Sequence, residues 1–273
     1  MCGIGGELRL DGSPPDLAAV ERMLPALASR GPDGEGRWQH GPVALVHRRL
    51  RIIDLSDAGA QPMVDPELGL ATVFNGCIYN YRELRDELTA AGYAFRSTSD
   101  TEVILKAYHR WGTACVERFY GMFAFALVEL ATHTVVLARD RLGIKPLYLA
   151  EGPGRVRFAS TLPALLAAGD VDTDLDPVAL HHYMSFHSVV PPPRTILTGV
   201  RKLPPATVRV ITADGRSTDT PTGGRSSTGP PPPPCPPTSG RSGSWPRCAP
   251  PYVGGWSPTC RSACCSPAVS TPA

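Results

Sequence analysis

The spacing of hydrophobic residues predicts several amphipathic helices. Apolar positions recur with a helical period over residues 15–29 and 79–92. Ser99 followed by Glu102 matches a capping box, which predicts the start of a third helix. The Asp-Pro pair at 176–177 predicts a fourth, because Asp caps a first turn well and Pro is tolerated inside it.

Short apolar runs separated by turn residues predict β-strands in the same part of the chain. A turn is expected at Gly31-Pro32-Asp33-Gly34. The runs lie at residues 42–54, 71–75, 122–130, 134–139, 147–150 and 156–159. Several short strands flanked by helices indicate antiparallel sheets stacked on each other and covered by helices.

Composition and charge narrow the class of protein. The chain has 273 residues, 42% of them hydrophobic, and a net charge of +2. Mixed charges do not favour a nucleic acid or an anionic membrane as partner. No apolar run approaches the roughly 20 residues needed to cross a bilayer. The first residues lack the basic and apolar stretches of a secretory signal, so we expect a cytoplasmic protein.

The composition changes sharply near residue 220. After Asp219 there is no Asp, Glu or Lys, and Pro, Gly, Ser and Cys dominate, as in the run Pro230–Pro234. Such a segment buries too little apolar surface to offset its ordering entropy. We therefore predict a folded domain over residues 2–212 and a disordered tail over 213–273. The tail cysteines Cys260, Cys264 and Cys265 match no common zinc spacing, and no metal site is predicted.

The residue after the initiator Met is a cysteine. Removal of Met1 would give Cys2 a free α-amine, whose pKa near 8 in model compounds suits proton transfer. One residue would then supply both a nucleophile and its base. Taken alone, a small second residue indicates only that Met1 can be removed.

Motifs further along the chain support the catalytic interpretation. They are Cys-Gly-Ile at 2–4, Arg-Gly-Pro-Asp-Gly at 30–34, His-Arg-Arg-Leu-Arg-Ile-Ile-Asp at 47–54, Gln-Pro-Met at 61–63, Phe-Asn-Gly-Cys-Ile-Tyr-Asn-Tyr-Arg-Glu-Leu-Arg at 74–85, Ser-Asp-Thr-Glu-Val-Ile-Leu at 99–105, Gly-Met-Phe-Ala-Phe-Ala at 121–126 and Arg-Asp-Arg-Leu-Gly-Ile-Lys-Pro-Leu-Tyr at 139–148. In this order they resemble the class II glutamine amidotransferases. The stretch 189–205 resembles asparagine synthetases most closely.

The resemblance implies a role for five residues. Cys2 would attack the side-chain amide of L-glutamine, while the Asn75 side chain and the Gly76 N–H would form the oxyanion hole. Arg49 would bind the substrate α-carboxylate and Asp100 its α-ammonium group. Glutamine hydrolysis by this machinery requires no cofactor.

Simpler interpretations remain open for several of these residues. Asn75-Gly76 could be a tight turn, Asp100 an acidic residue favoured by the helix dipole, and Arg49 a solvated side chain. Other polar or reactive residues are expected to be structural: His47, His109, the buried turn that begins at Arg139, and the core residue Cys115.

Two positions depart from the family pattern. Cys77 replaces the Glu that normally follows Asn-Gly, which removes a negative charge near the substrate ammonium. Ser29 replaces a His that normally precedes Arg-Gly-Pro-Asp. Neither change affects the nucleophile, so we expect weaker, but not absent, activity.

The tail suggests what followed the domain in the parent gene. Asparagine synthetases continue into a synthetase domain that binds ATP and Mg²⁺ and carries a Ser-Gly-Gly-x-Asp-Ser motif, which is absent here. Several codons can encode each residue from Thr238 onward. Some of these codon choices, when read in a shifted frame, encode a helical segment, a strand and Ser-Gly-Gly-Val-Asp-Ser-Ser. Our hypothesis is a frameshift near residues 217–221 that replaced this synthetase domain, normally present in cis.

The sequence thus predicts an α+β protein, a four-layer αββα sandwich of two antiparallel sheets of the N-terminal-nucleophile hydrolase type. Its predicted activity is glutamine hydrolysis, as the glutaminase half of an asparagine synthase, without asparagine synthesis by this chain. A folded but silent remnant and an unstable chain are the alternatives. Whether the protein forms a homodimer is left open.

Overall fold

The computed structural model describes residues 1–223. The strands are β1 (Gly3–Arg9), β2 (Gly34–His40), β3 (Val43–Arg49), β4 (Met63–Asp65), β5 (Leu70–Ile78), β6 (Gly121–Glu129), β7 (Val135–Arg139), β8 (Tyr148–Gly152), β9 (Arg155–Ala159), β10 (Arg201–Lys202), β11 (Thr207–Ile211) and β12 (Ser217–Pro221). The helices are α1 (Leu17–Leu27), α2 (Tyr81–Ala90), α3 (Asp100–Trp111), α4 (Leu162–Ala168) and α5 (Pro177–Ser185). Short 3-10 segments lie at Asp57–Gly59 and Gly112–Arg118.

The strands form two six-stranded antiparallel sheets. The first sheet has the order β10-β8-β9-β1-β3-β2 and the second the order β12-β11-β7-β6-β5-β4. In the first sheet Gly3 pairs with Arg48, so the start of β1 lies beside the end of β3. In the second sheet β4 pairs with only the first part of β5, which leaves one edge of residues 73–78 free of a neighbouring strand.

Three apolar clusters show how the layers stack. The middle cluster joins the facing sides of the two sheets, for example through Ile4 and Leu45 of the first sheet and Val73 of the second. A second cluster packs α1 and α4 on the outer side of the first sheet. A third packs α2 and α3 on the outer side of the second sheet. The predicted αββα sandwich is therefore confirmed.

The helix starts follow their capping residues, with one correction. Asp16 caps α1 by accepting from the Ala19 N–H at 3.0 Å, and Asp176 caps α5 as predicted. Ser99 caps α3 and accepts from the Thr101 N–H. The capping box is only half correct, however, because Glu102 accepts from the backbone N–H groups of residues 96 and 97 instead of returning to Ser99. Its carboxylate thus holds the loop that precedes the helix.

Two predicted boundaries are wrong. The strand expected over 42–54 ends at Arg49, where the chain turns away to form the loop beside Cys2. The predicted disordered tail also started too early at residue 213, because Ser217–Pro221 form β12 and pair with β11. The predicted disorder after 223 and the tail cysteines lie outside the described residues. Within residues 1–223, no helix is long and apolar enough to cross a membrane.

Candidate active site

The five residues predicted for glutamine hydrolysis line one cavity of about 300 Å³. The start of β1 brings Cys2, and the adjacent end of β3 brings Arg49. The free part of β5 contributes Asn75 and Gly76, and the first turn of α3 contributes Asp100. Residues far apart in the sequence therefore converge where the two sheets and one helix end meet.

The Cys2 thiol is held by the backbone of one residue. The Leu50 N–H donates to the sulfur at 3.4 Å, and the sulfur lies 3.6 Å from the Leu50 carbonyl oxygen. Burial raises the pKa of the thiol above its ordinary value, although the Leu50 contact, the positive N-terminus and Arg49 act in the opposite direction. A thiol with a raised pKa is protonated at neutral pH, so it needs a base before it can attack a substrate.

Asn75 is fixed by Cys2 and by Arg30. With its amide oxygen toward Arg30, the Asn75 nitrogen donates to the Cys2 carbonyl oxygen at 3.1 Å and its oxygen accepts from Arg30 Nη2 at 3.2 Å. Arg30 Nε also donates to the Cys2 carbonyl oxygen, at 3.0 Å. A primary amide has two N–H groups, so the second N–H of Asn75 is available to an oxygen in the cavity.

The Gly76 N–H lies on the free edge of β5. Backbone N–H groups alternate in direction along a strand, so the N–H groups of Phe74 and Ile78 point to the same edge as that of Gly76. Both of these N–H groups donate to side chains. The Phe74 N–H donates to Gln61 Oε1 at 2.6 Å and the Ile78 N–H donates to Asp100 Oδ2 at 3.0 Å. Between them, no group in residues 1–223 accepts from the Gly76 N–H on this edge. It can therefore serve as the second donor beside Asn75.

Gly76 must be a glycine because of the neighbouring strand. A Cβ atom at this position would lie 2.4 Å from the Met122 carbonyl oxygen and 2.8 Å from Phe123 Cα. Both are backbone atoms of β6 and cannot move aside without disturbing the sheet. The dipeptide Asn75-Gly76 therefore lies inside a strand, and its interpretation as a tight turn is wrong.

Arg49 is buried and held by the loop that follows β3. Its Nη1 donates to the Ser56 carbonyl oxygen at 2.8 Å and its Nη2 to the Asp54 carbonyl oxygen at 2.5 Å. A Cβ at Gly59 would lie 2.4 Å from Nη2, so this loop also needs a glycine to pass the guanidinium. Arg49 is thus not a solvated side chain, and its remaining N–H groups donate to no group within residues 1–223.

Asp100 adds a carboxylate to the cavity wall. It is 4% exposed, and burial raises its pKa from 3.8 to about 6, although N–H groups of residues 78, 100 and 101 and Ser99 oppose the rise. A buried carboxylate with a raised pKa is stabilised by a bound cation. A substrate ammonium group would provide this cation, and Asp100 also occupies the first turn of α3 as the dipole favours.

Three further residues shape the cavity and had no assigned role in the sequence. Arg30 orients Asn75, while Cys77 and Lys145 line the cavity wall. Arg30 and Lys145 belong to motifs that the sequence identified, so the motifs indicated their importance. Arg30 and Lys145 lie near Cys2 because strands that are distant in the sequence pair with each other. A local sequence pattern does not predict such pairing.

Several residues that were expected to be structural are confirmed as such. Arg139 donates from Nε to the Lys145 carbonyl oxygen at 2.8 Å and so holds the turn that follows it. His47 is buried against the Phe74 carbonyl oxygen, and burial lowers its pKa to about 3. Cys115 is fully buried in the core, where burial raises its pKa to about 12.

Comparisons with known proteins agree with this geometry. A family model described as a glutamine amidotransferase domain matches residues 1–221. The chain is 40% identical over 196 residues to asparagine synthetase [glutamine-hydrolyzing] 1 of Bacillus subtilis, covering 72% of this chain and 30% of the relative. It is 41% identical over 210 residues to a putative asparagine synthetase of Mycobacterium tuberculosis, covering 72% and 32%.

The fold also matches a solved structure. The glutamine phosphoribosylpyrophosphate amidotransferase of B. subtilis superposes with a TM-score of 0.61 at 19% identity, covering 81% of this chain and 49% of that one. The chain spans about a third of the length of the curated relatives it matches. From the family match over most of its length and the shared fold, the chain belongs to the glutamine amidotransferase domain family, with asparagine synthetases among its relatives.

Proposed function

We propose that this protein hydrolyses L-glutamine to glutamate and ammonia, with Cys2 as the nucleophile. The observation that carries the proposal is the convergence of the Cys2 thiol, the Asn75 amide and the free Gly76 N–H at one cavity. Arg49 and Asp100 add a cation and a carboxylate to the same cavity. This set of groups matches the side-chain amide, α-carboxylate and α-ammonium of glutamine.

The base in the proposed reaction is the α-amine of Cys2. While Met1 is attached, this nitrogen belongs to an amide and cannot accept a proton. Removal of Met1 would produce the free amine beside a thiol whose raised pKa makes a base necessary. No cofactor takes part in this step.

The reaction balances with these groups alone. The amine takes the thiol proton as Sγ forms a bond to the side-chain carbonyl carbon of glutamine. The developing oxyanion accepts from the Asn75 amide and the Gly76 N–H, each such donor being worth about 10²–10³-fold in rate. The C–N bond then breaks, ammonia leaves with the proton from the amine, and a thioester remains. Water then attacks the thioester and gives a proton to the amine; the C–S bond breaks, the amine returns that proton to Sγ, and glutamate is released.

The proposed wider role is that of the glutaminase half of an asparagine synthase. Its support is the similarity to asparagine synthetases over most of this chain. In that role ammonia would pass to an ATP- and Mg²⁺-dependent domain that amidates aspartate. ATP and Mg²⁺ would belong to that partner domain and not to the cavity described above.

The proposal is tested by measuring glutamate and ammonia released from glutamine by the full chain. We expect activity in the parent, loss of at least 10³-fold in Cys2→Ala, and no more than a twofold change in Cys115→Ala, the matched control in the core. A cooperative thermal transition in all three proteins shows that each is folded. Activity that survives in Cys2→Ala would overturn the proposal, and a folded but inactive parent would identify a silent remnant.

A further inference from the structure

Lys145 is a buried ammonium group whose Nζ contacts no carboxylate in the part of the chain that the structure describes. Its side chain lines the active-site cavity and is 4% exposed. Within residues 1–223 it forms no ion pair, and the hydrogen bond of its Nζ goes to the Met1 thioether sulfur at 3.0 Å. A thioether is a weak acceptor, so this contact compensates poorly for burial of a charge.

The position of Lys145 is fixed by its backbone. The Lys145 N–H donates to Asp140 Oδ2 at 2.9 Å, and the Lys145 carbonyl oxygen accepts from Arg139 Nε at 2.8 Å. Asp140 also accepts from the Leu142 and Ile144 N–H groups, at 3.1 and 2.9 Å. The turn therefore fixes the backbone of Lys145, from which the side chain reaches the Met1 sulfur.

We propose that Lys145 is a positioning residue that keeps the α-amine of processed Cys2 uncharged and ready to accept the thiol proton. This inference rests on the proposed function, because it concerns the base of that reaction. Met1 is joined to the Cys2 nitrogen, so the side chain that contacts Lys145 leaves when that nitrogen becomes an amine. The Lys145 Nζ, which lies 3.0 Å from the Met1 sulfur and interacts electrostatically with Cys2, would then be a charged neighbour of the new amine.

The physical reason is repulsion between two cations in a partly buried site. A nearby positive charge disfavours the protonated form of an amine, while it favours a thiolate. Arg30 and Arg49 act on Cys2 with the same sign as Lys145, whereas Asp100 opposes them. Cys77 and Tyr148 also lie near these cations and are neutral when protonated. Charged groups lie near them as well: Asp140 near Lys145, and Arg51, Asp54 and Asp57 near Arg49. Of the side chains that act on Cys2 itself, three are cationic (Arg30, Arg49 and Lys145) and one, Asp100, is a carboxylate.

The first test is the pH profile of kcat/KM for glutamine hydrolysis in Lys145→Met, with Lys145→Arg as the matched control. The rate falls on the acidic side as the amine becomes protonated. Loss of the Lys145 charge should move this acidic limb to higher pH by about 0.5–1 unit, as expected for unit charges several ångströms apart at a high effective dielectric constant. Lys145→Arg retains the charge and should keep the limb of the parent.

A uniform loss of rate in Lys145→Met, with the acidic limb unmoved, would overturn the proposal and indicate a purely structural role. The second test does not depend on turnover. In protein labelled with ¹⁵N-cysteine, the directly detected ¹⁵N signal of the N-terminal amine reports its titration. The amine should titrate at higher pH in Lys145→Met than in the parent, and equal titration would contradict the proposal. A parent without glutaminase activity would refute the proposed function, while this titration would still decide the role of Lys145.

Discussion

Replacement of Asp100 by Asn should make the free protein more stable while it weakens glutamine binding. Burial raises the pKa of Asp100 from 3.8 to about 6, which corresponds to a penalty of about 3 kcal/mol for the ionised native state. Asn has no charge and removes this penalty. In the parent, however, the Ile78 N–H donates to Asp100 Oδ2 at 3.0 Å, and the NH₂ group of Asn cannot accept such a hydrogen bond. That mismatch costs about 1–2 kcal/mol, so a net gain of about 1–2 kcal/mol remains.

The stabilisation of Asp100→Asn relative to the parent should depend on pH. Because the native pKa is raised, the native carboxyl binds its proton more tightly than the unfolded one, and stability falls between pH 3.8 and about 6. Above pH 6 the full penalty persists. Asp100→Asn should therefore raise Tm by about 2–8 °C at pH 8 and by less at pH 5.

Thermal unfolding at the two pH values, with and without glutamine, tests this expectation. Glutamine should raise the Tm of the parent at pH 8 but not that of Asp100→Asn, because the amide no longer pairs with the α-ammonium. A variant that is less stable than the parent by the same amount at both pH values would refute the electrostatic reasoning. Equal protection of both proteins by glutamine would refute the assigned contact.

Three further predictions follow from particular residues. Cys77→Glu should lower KM for glutamine by about tenfold, or about 1.4 kcal/mol, with little change in kcat, since it returns a carboxylate to the cavity; an unchanged KM would contradict this. Glu7→Gln should lower the free energy of unfolding by about 3–5 kcal/mol, because Glu7 pairs at 2.6 Å with Arg157 and both are fully buried. A loss below about 1 kcal/mol, measured by denaturant unfolding, would contradict this. Resequencing the gene from codon 217 onward should reveal codons that spell Ser-Gly-Gly-Val-Asp-Ser-Ser in the shifted frame, and codons that cannot spell it would remove the frameshift hypothesis.

The layers of the fold could be predicted from the sequence because each layer has its own local pattern. The strands β6, β7 and β9 are short apolar runs bounded by turns, and helix α2 has one clear apolar face. The edge strand β2 was missed, since its Gly-Glu-Gly-Arg-Trp-Gln-His sequence is polar and largely exposed. It is a strand because β3 provides its hydrogen-bonding partner along the whole length.

The candidate site could be predicted only as a set of residues. The motifs identified Cys2, Arg49, Asn75, Gly76 and Asp100, and the structure brings all five to one cavity. What holds them there is not local. The sulfur is held by the backbone of Leu50, 48 residues away, and the end of β5 is held by side chains from other segments. Such contacts follow from tertiary packing and leave no periodic signal.

The charged residues that surround the nucleophile could likewise not be predicted from the sequence. Lys145 lies 144 residues from Met1, and only the pairing of the sheets and the turn after β7 bring them into contact. The ion pair between Glu7 and Arg157 spans 150 residues in the same way. A charged residue read from sequence is most simply assigned to the surface, and its burial becomes visible only in the folded chain.

The central claim is that a processed N-terminal cysteine attacks the side chain of glutamine. Mass spectrometry of the full chain after treatment with a glutamine-analogue electrophile tests it most directly. We predict a protein that lacks Met1 and carries one adduct on Cys2, with labelling slowed by glutamine and absent in Cys2→Ala. Retention of Met1, or an unlabelled Cys2 in a protein whose Cys77 is labelled, would contradict the claim.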